Sequence, residues 1–113
     1  MERHLKGWGE EIWIVNISLY CGKKLILKEG KKCSIHYHRK KDETFYIQSG
    51  IVLMNLYPEG YPGPKKRIIM TAGHSLHIKP GLIHRFLGLK DSVIFEFSTQ
   101  HFESDTIRLK KGD

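Results

Sequence analysis

Four side chains in this sequence can bind a metal and stand at spacings that bring them together: His36, His38, Glu43 and His84. His36 and His38 are two residues apart, so in an extended segment both imidazoles leave the same face. Glu43 would fall on the opposite face of one continuous strand. The polar tetrad Arg39–Asp42 before it predicts a hairpin turn instead, and Glu43 then opens the next strand beside His38. His84 follows the turn pair Pro80-Gly81 and starts another β-type segment. Three imidazoles and a carboxylate make a mixed nitrogen and oxygen donor set. Such a set suits one divalent transition metal (zinc, manganese, iron, nickel or cobalt) better than calcium or magnesium, and the donor types do not choose among those metals. Without that role, four buried ionisable groups would each need a partner. The remaining histidines are not needed as ligands. His77, between Leu76 and Ile78, is expected to face outward, and His4 and His101 are read as surface residues.

The elements that must position these residues read as short strands. Alternating, β-branched segments run over 11–19, 23–28, 32–38, 43–48, 51–57, 67–71, 75–78, 83–89 and 93–98. Turn-forming residues separate them, and Pro58–Pro64 (PEGYPGP) is the clearest surface loop because its prolines cannot serve a central strand. Close-set strands and turns predict an all-β sandwich or barrel. No segment keeps a helical period over three turns, and one short helix is expected near a terminus. The 113 residues and 13.2 kDa suit a single domain over 1–113 with one modest core. The apolar share of 40% and charged share of 27% argue against global disorder. No apolar run reaches the length of a membrane span, and the opening MERHLKGWGEEIW has acids and no long apolar stretch, so the expected compartment is cytoplasmic. Cys21 and Cys33 form no metal-binding pair and are expected as reduced thiols in half-buried strands.

A net charge of +7 favours anionic partners. The basic residues fall in small clusters at expected turns, among them Arg39-Lys40-Lys41, and read as solvated loop tips. They lack interleaved aromatics, so no nucleic-acid partner is expected, and no membrane partner either.

The spacing Gly30-(x5)-His36-x-His38-(x4)-Glu43-(x6)-Gly50 matches the first cupin motif at every fixed position. Gly73-(x7)-Gly81-(x2)-His84 matches the second, with Pro80 standing next to Gly81 and Gly88 where an Asn is often found. The chain thus resembles the cupin superfamily. That resemblance implies a single-domain double-stranded β-helix, or jelly-roll barrel, with the metal inside on His36, His38, Glu43 and His84. Further strings narrow it: Lys6-Gly7-Trp8-Gly9, Ile94-Phe95-Glu96-Phe97-Ser98, and Glu103-Ser104-Asp105-Thr106-Ile107-Arg108. These are similar to the cupin domain of type II mannose-6-phosphate isomerases, with the lyxose isomerase-like sugar cupins nearby.

This likeness implies a metal-dependent aldose–ketose isomerase, converting mannose-6-phosphate to fructose-6-phosphate through an enediol. In that chemistry the metal polarises the carbonyl and a nearby base moves a proton between adjacent carbons. Glu96 and Lys23 are the candidates for the base. Glu96 either faces a cavity or faces solvent opposite Phe95 and Phe97. Lys23 shares strand parity with Leu25 and Leu27, and points into the barrel if those do. Arg85 and Lys6 are the candidate cations for a phosphate, although on a regular strand Arg85 points away from His84. Arg108 pairs with Asp105 or with Glu103 in this reading, and Trp8 either covers the pocket or packs structurally. The expected partner is a small sugar or sugar phosphate, and a homodimer would cover an exposed sheet edge. Three alternatives stay open: an isomerase of unphosphorylated lyxose or mannose, a metal-dependent cupin dioxygenase, and a non-catalytic sugar-binding cupin.

Overall fold

The computed structural model describes residues 1–113. Its strands are β1 (Glu2–Lys6), β2 (Gly9–Asn16), β3 (Cys21–Leu27), β4 (Ile35–His38), β5 (Glu43–Ser49), β6 (Ile51–Tyr57), β7 (Lys66–Thr71), β8 (Ser75–Ile78), β9 (Ile83–Gly88), β10 (Ser92–Ser98) and β11 (Thr106–Lys110). They form a six-stranded sheet in the order β1-β2-β3-β10-β5-β8 and a five-stranded sheet in the order β11-β4-β9-β6-β7. All pairings are antiparallel. The two sheets enclose one core in the jelly-roll barrel of the cupin fold. No helix is long and apolar enough to cross a membrane.

Alternation along each strand decides what lies inside. On β3, Cys21, Lys23, Leu25 and Leu27 are buried while the residues between them are partly open. β5 turns Glu43, Phe45 and Ile47 inward, and β10 turns Ser92, Ile94 and Glu96 inward. The inner rows of β3 and β5 therefore have a polar end and an apolar end, and that of β10 places Glu96 at the polar side. Antiparallel register lines these ends up, since Glu96 lies opposite both Lys23 and Phe45, and Ser98 lies opposite Glu43. The apolar ends merge into a core that includes Leu25, Leu27, Phe45, Ile47, Val52, Met54, Phe86 and Ile94. Burial of such side chains contributes roughly 1.5–3 kcal/mol each. The polar ends are left together at one end of the barrel.

The nine central strands fall where the sequence places them, with ends shifted by a few residues. Two terminal strands differ. β1 (ERHLK) has little apolar pattern, and it forms because its backbone pairs with β2 from Glu2↔Trp13 to Lys6↔Gly9. β11 pairs with β4 in the same way, from Thr106↔His38 to Arg108↔His36 and then Lys110↔Ile35. The expected terminal helix is only a 3-10 turn at Glu103–Asp105.

Two glycines carry specific geometry. Gly50 turns β5 into β6 at φ +92°, and a Cβ there would lie 2.2 Å from Ser92 Oγ. Gly88, where an Asn is often found, approaches the Lys28 carbonyl so closely that a Cβ would sit 2.7 Å from that oxygen. The space admits no side chain.

Candidate metal centre and its cavity

Pairing of β4 with β9 sets His36 directly opposite His84. His38 joins them from the same face of β4, and one ligand atom from each of the three imidazoles lies within 4.8 Å of the others. Each ring is fixed through its Nδ1. That of His36 donates to the Ser34 carbonyl at 2.9 Å, and that of His84 donates to the Leu82 carbonyl at 2.8 Å. The His38 Nδ1 pairs with the Thr106 hydroxyl at 3.1 Å, so β11 orients a ring on β4. A carbonyl can only accept, so His36 and His84 hold their proton on Nδ1, and a neutral ring then has its lone pair on Nε2. Outer hydrogen bonds of this kind orient metal-binding histidines.

Glu43 closes the group. Its Oε2 lies 3.3 Å from His38 Nε2 and 3.4 Å from His84 Nε2. Both carboxylate oxygens and His84 Nε2 are buried without a hydrogen bond. An unprotonated imidazole nitrogen facing a carboxylate sets acceptor against acceptor, which is unfavourable unless a cation stands between them. These orphaned, convergent atoms fit a divalent transition metal. Burial and the neighbouring His84 and His38 push the His36 imidazolium well below its usual range. Burial alone would raise Glu43, but His38 and His84, when a proton on Nε2 takes the place a cation would fill, and the Lys41 ammonium hold it well below the usual carboxylate range. Both groups therefore keep their ligand-competent form at neutral pH.

Beside this centre runs a cavity of about 300 Å³, lined by the polar ends of the inner rows and by residues of both termini. Glu96 faces it and is 5% exposed, while Phe97 on the same strand is outward and 56% exposed. Glu96 Oε2 accepts a hydrogen bond from Lys41 Nζ at 2.8 Å and one from the Ser98 hydroxyl at 3.4 Å, and Oε1 has no protein partner. Lys23 also points inward, as its parity with Leu25 and Leu27 predicts, and is 2% exposed.

The structure corrects three sequence-based expectations. Arg85 does not line the cavity. Strand alternation turns it away from His84, and its guanidinium donates to the carbonyls of Cys33 at 2.8 Å and Lys111 at 2.9 Å. It ties the C-terminal segment to the barrel. Lys6 does line the cavity. His101 is buried rather than superficial, because Asn16 grips its backbone on both sides and Trp13 packs against its ring. Burial and the charges of Lys23 and Lys41 lower its pKa to about 4.

Lys41 is the third correction and the functional residue that sequence reasoning missed. It belongs to an expected loop-tip cluster, yet it is 3% exposed. Its ammonium contacts Glu96 at 2.8 Å, His101 Nδ1 at 3.2 Å and Glu43 Oε1 at 3.4 Å. Burial alone would lower its pKa, but Glu96 and Glu43 raise it above the usual lysine range. The signal that could have found it lies far away in the chain. The Asp105 carboxylate accepts the backbone N–H of Lys40 at 2.9 Å and of Lys41 at 3.0 Å, which folds the turn inward.

The other expectations divide plainly. Arg108 pairs with Glu103 at 2.8 Å. Trp8 is buried, edge-on to Phe86, and also lines the cavity. His77 is exposed and pairs with Asp42. Both cysteines are free and buried, and burial pushes the Cys33 thiol up to about 12.

No protein-family model matches the chain, and no curated protein matches it. Solved structures do. The capsular polysaccharide assembling protein CapF from Staphylococcus aureus superposes at a TM-score of 0.82 and 19% identity, covering 96% of this chain and 34% of that one. Oxalate decarboxylase from Bacillus subtilis gives 0.81 at 20% identity, covering 96% of this chain and 30% of that one. KdgF from Halomonas sp. gives 0.74 at 14% identity, covering 92% and 90%. The chain spans about a third of the length of CapF and of oxalate decarboxylase. At these identities the likeness is one of fold.

Proposed function

We propose that this protein is a metal-dependent aldose–ketose isomerase acting on a small sugar or sugar phosphate, with mannose-6-phosphate to fructose-6-phosphate as the first pair to test. The observation that carries the reading is Glu96. It is an inward carboxylate with one oxygen held by Lys41 and the other open to the cavity that the histidine group borders. His36, His38, Glu43 and His84 would hold the metal. When bound, it supplies Lewis-acid polarisation of a substrate carbonyl and the adjacent hydroxyl.

The chain's own residues do the rest. Glu96 Oε1 takes a proton from the carbon beside the carbonyl and returns it to the neighbouring carbon. The Lys41 ammonium fixes the carboxylate's position through Oε2 and stabilises negative charge that develops nearby. Trp8 and Phe86 form an apolar wall that restricts water at the reacting carbons. The association of CapF with capsular polysaccharide assembly supports a sugar as the kind of substrate. The second reading, a metal-dependent decarboxylase or dioxygenase acting on a small acid, is favoured by the fold likeness to oxalate decarboxylase.

The test is proton NMR of fructose-6-phosphate in D2O with the manganese- or zinc-loaded protein. Exchange at C1 with appearance of mannose-6-phosphate is expected, and Glu96→Gln should keep the metal while slowing exchange by about 100-fold or more. No exchange with this sugar, or with lyxose and mannose, at verified metal occupancy would overturn the reading in favour of the second.

A further inference from the structure

Lys23 is buried at 2% exposure, lines the cavity, and makes no hydrogen bond. Its ammonium lies 3.6 Å from Glu11 Oε1 and 4.3 Å from the centre of the Trp13 ring. Glu11 itself is engaged elsewhere, accepting from Trp13 Nε1 at 2.9 Å. The contrast with Lys41 is informative, because Lys41 has three close partners. Lys23 has three donors and makes no hydrogen bond within the protein; its charge is offset only by Glu11 at 3.6 Å and the Trp13 ring. Burying an ammonium in that condition is costly, and an oxyanion in the cavity would remove the cost.

Position supports the same conclusion. Lys23 on β3 lies opposite Glu96 on β10, and Glu43 on β5 lies opposite Ser98 on the other side of β10. Lys23 and the metal-ligand carboxylate are therefore two strand spacings apart across the sheet and two residues apart along it, about 12 Å between Cα positions. That span matches a short polyhydroxylated chain whose carbonyl is at the metal and whose far end carries an anionic group. Arg85 cannot serve that end, because its guanidinium is bound to the carbonyls of Cys33 and Lys111.

We infer that Lys23 is a substrate-anchoring residue that binds the terminal oxyanion, phosphate or carboxylate, of an acidic sugar whose reacting end lies at the histidine group. This rests on the isomerase reading for the reacting end only. The anchor itself follows from a cavity-lining ammonium that donates no hydrogen bond and has one carboxylate near it, Glu11 at 3.6 Å. Lys23 is then a binding group, and Glu96 remains the base.

The test compares mannose-6-phosphate, mannuronate and mannose as ligands of the metal-free and the zinc-loaded protein. Tryptophan fluorescence reports binding, since the Trp13 ring lies against the Lys23 ammonium, and calorimetry confirms it. At least one anion is expected to bind about tenfold or more tighter than mannose, with and without zinc. Whichever anion shows the preference identifies the group as phosphate or carboxylate. Lys23→Met should abolish the preference at unchanged zinc content, and Lys23→Arg should restore part of it. Equal binding of mannose and both anions by the wild type would overturn the proposal, whether or not the variants fold. A folded Lys23→Met that keeps the preference would also overturn it. The two readings fail separately. Exchange in D2O on neutral mannose without any anion preference would sink the anchor and leave the isomerase. An anion preference lost in Lys23→Met, without exchange on any sugar, would leave the anchor and sink the isomerase.

Discussion

The histidine group shows how much of a site depends on hydrogen bonds behind it. Carbonyls of Ser34 and Leu82 hold the protons of His36 and His84 on Nδ1, and the opposite nitrogens are left as lone pairs. His84 Nε2 and the Glu43 oxygens are buried, close and without hydrogen bonds. Metal binding relieves that conflict, so zinc should stabilise the fold, by about 2.7 kcal/mol when its free concentration is 100 times the Kd. His84→Ala should lower zinc affinity by at least about 100-fold. Chelator competition and the zinc-dependent rise in Tm measure both. A variant that keeps wild-type affinity would remove His84 from the ligand set.

At the scale of elements, the site depends on a turn and on strands the pattern does not announce. The turn Arg39–Asp42 carries Lys41 into the cavity because Asp105, in the 3-10 turn before β11, accepts the N–H groups of Lys40 and Lys41. β11 also brings Thr106 to the His38 ring. Asp105→Ala should therefore act twice. It should destabilise the protein by about 2–3 kcal/mol, from two lost hydrogen bonds to a charged acceptor. It should also release Lys41 from Glu96, which would slow exchange without removing the metal. Denaturant unfolding measures the first effect. Zinc content together with exchange rate measures the second. An Asp105→Ala protein with wild-type exchange would show that the turn holds Lys41 without its cap.

Over the whole molecule, the barrel divides into an apolar half that supplies the core and a polar half that concentrates charge. That division has a pH signature. The folded pKa of His101, about 4, lies below its ordinary 6.5. The unfolded chain then binds more protons than the folded one between those values. The contribution is full above pH 6.5, is lost as pH falls toward 4, and changes no further below that. The shift of His36 acts in the same direction. Below about pH 4.5 the lowered carboxylates Glu11, Glu43 and Glu103 add their own loss. Metal-free protein should show a Tm that falls from pH 7 to pH 5, with a shallower fall in His101→Gln. A flat Tm over that range would contradict the buried, neutral state of His101.

Alternation and turn residues in the sequence determine the nine central strands, and they tie the aim of Lys23 to that of Leu25 and Leu27. Local parity and a hairpin bring His36, His38 and Glu43 together at short range, whereas His84 joins them only through the pairing of β4 with β9. Glu96 was ambiguous in sequence, since VIFEFS reads equally well with either face inward. Only pairing with β3 and β5, whose inner rows are Cys21, Lys23, Leu25 and Leu27 on one and Glu43, Phe45 and Ile47 on the other, turned the acid inward. The terminal strands were invisible because backbone pairing at a sheet edge needs no apolar period. The burial of Lys41 and His101 and the diversion of Arg85 to carbonyls depend on Asp105, Asn16, Cys33 and Lys111. Apart from the contact of Arg85 with Lys111, 26 residues on, these contacts join residues 52 to 85 positions apart. Charge, exposure and pKa at those positions are set by what the folded chain brings beside them, and no local pattern carries that information.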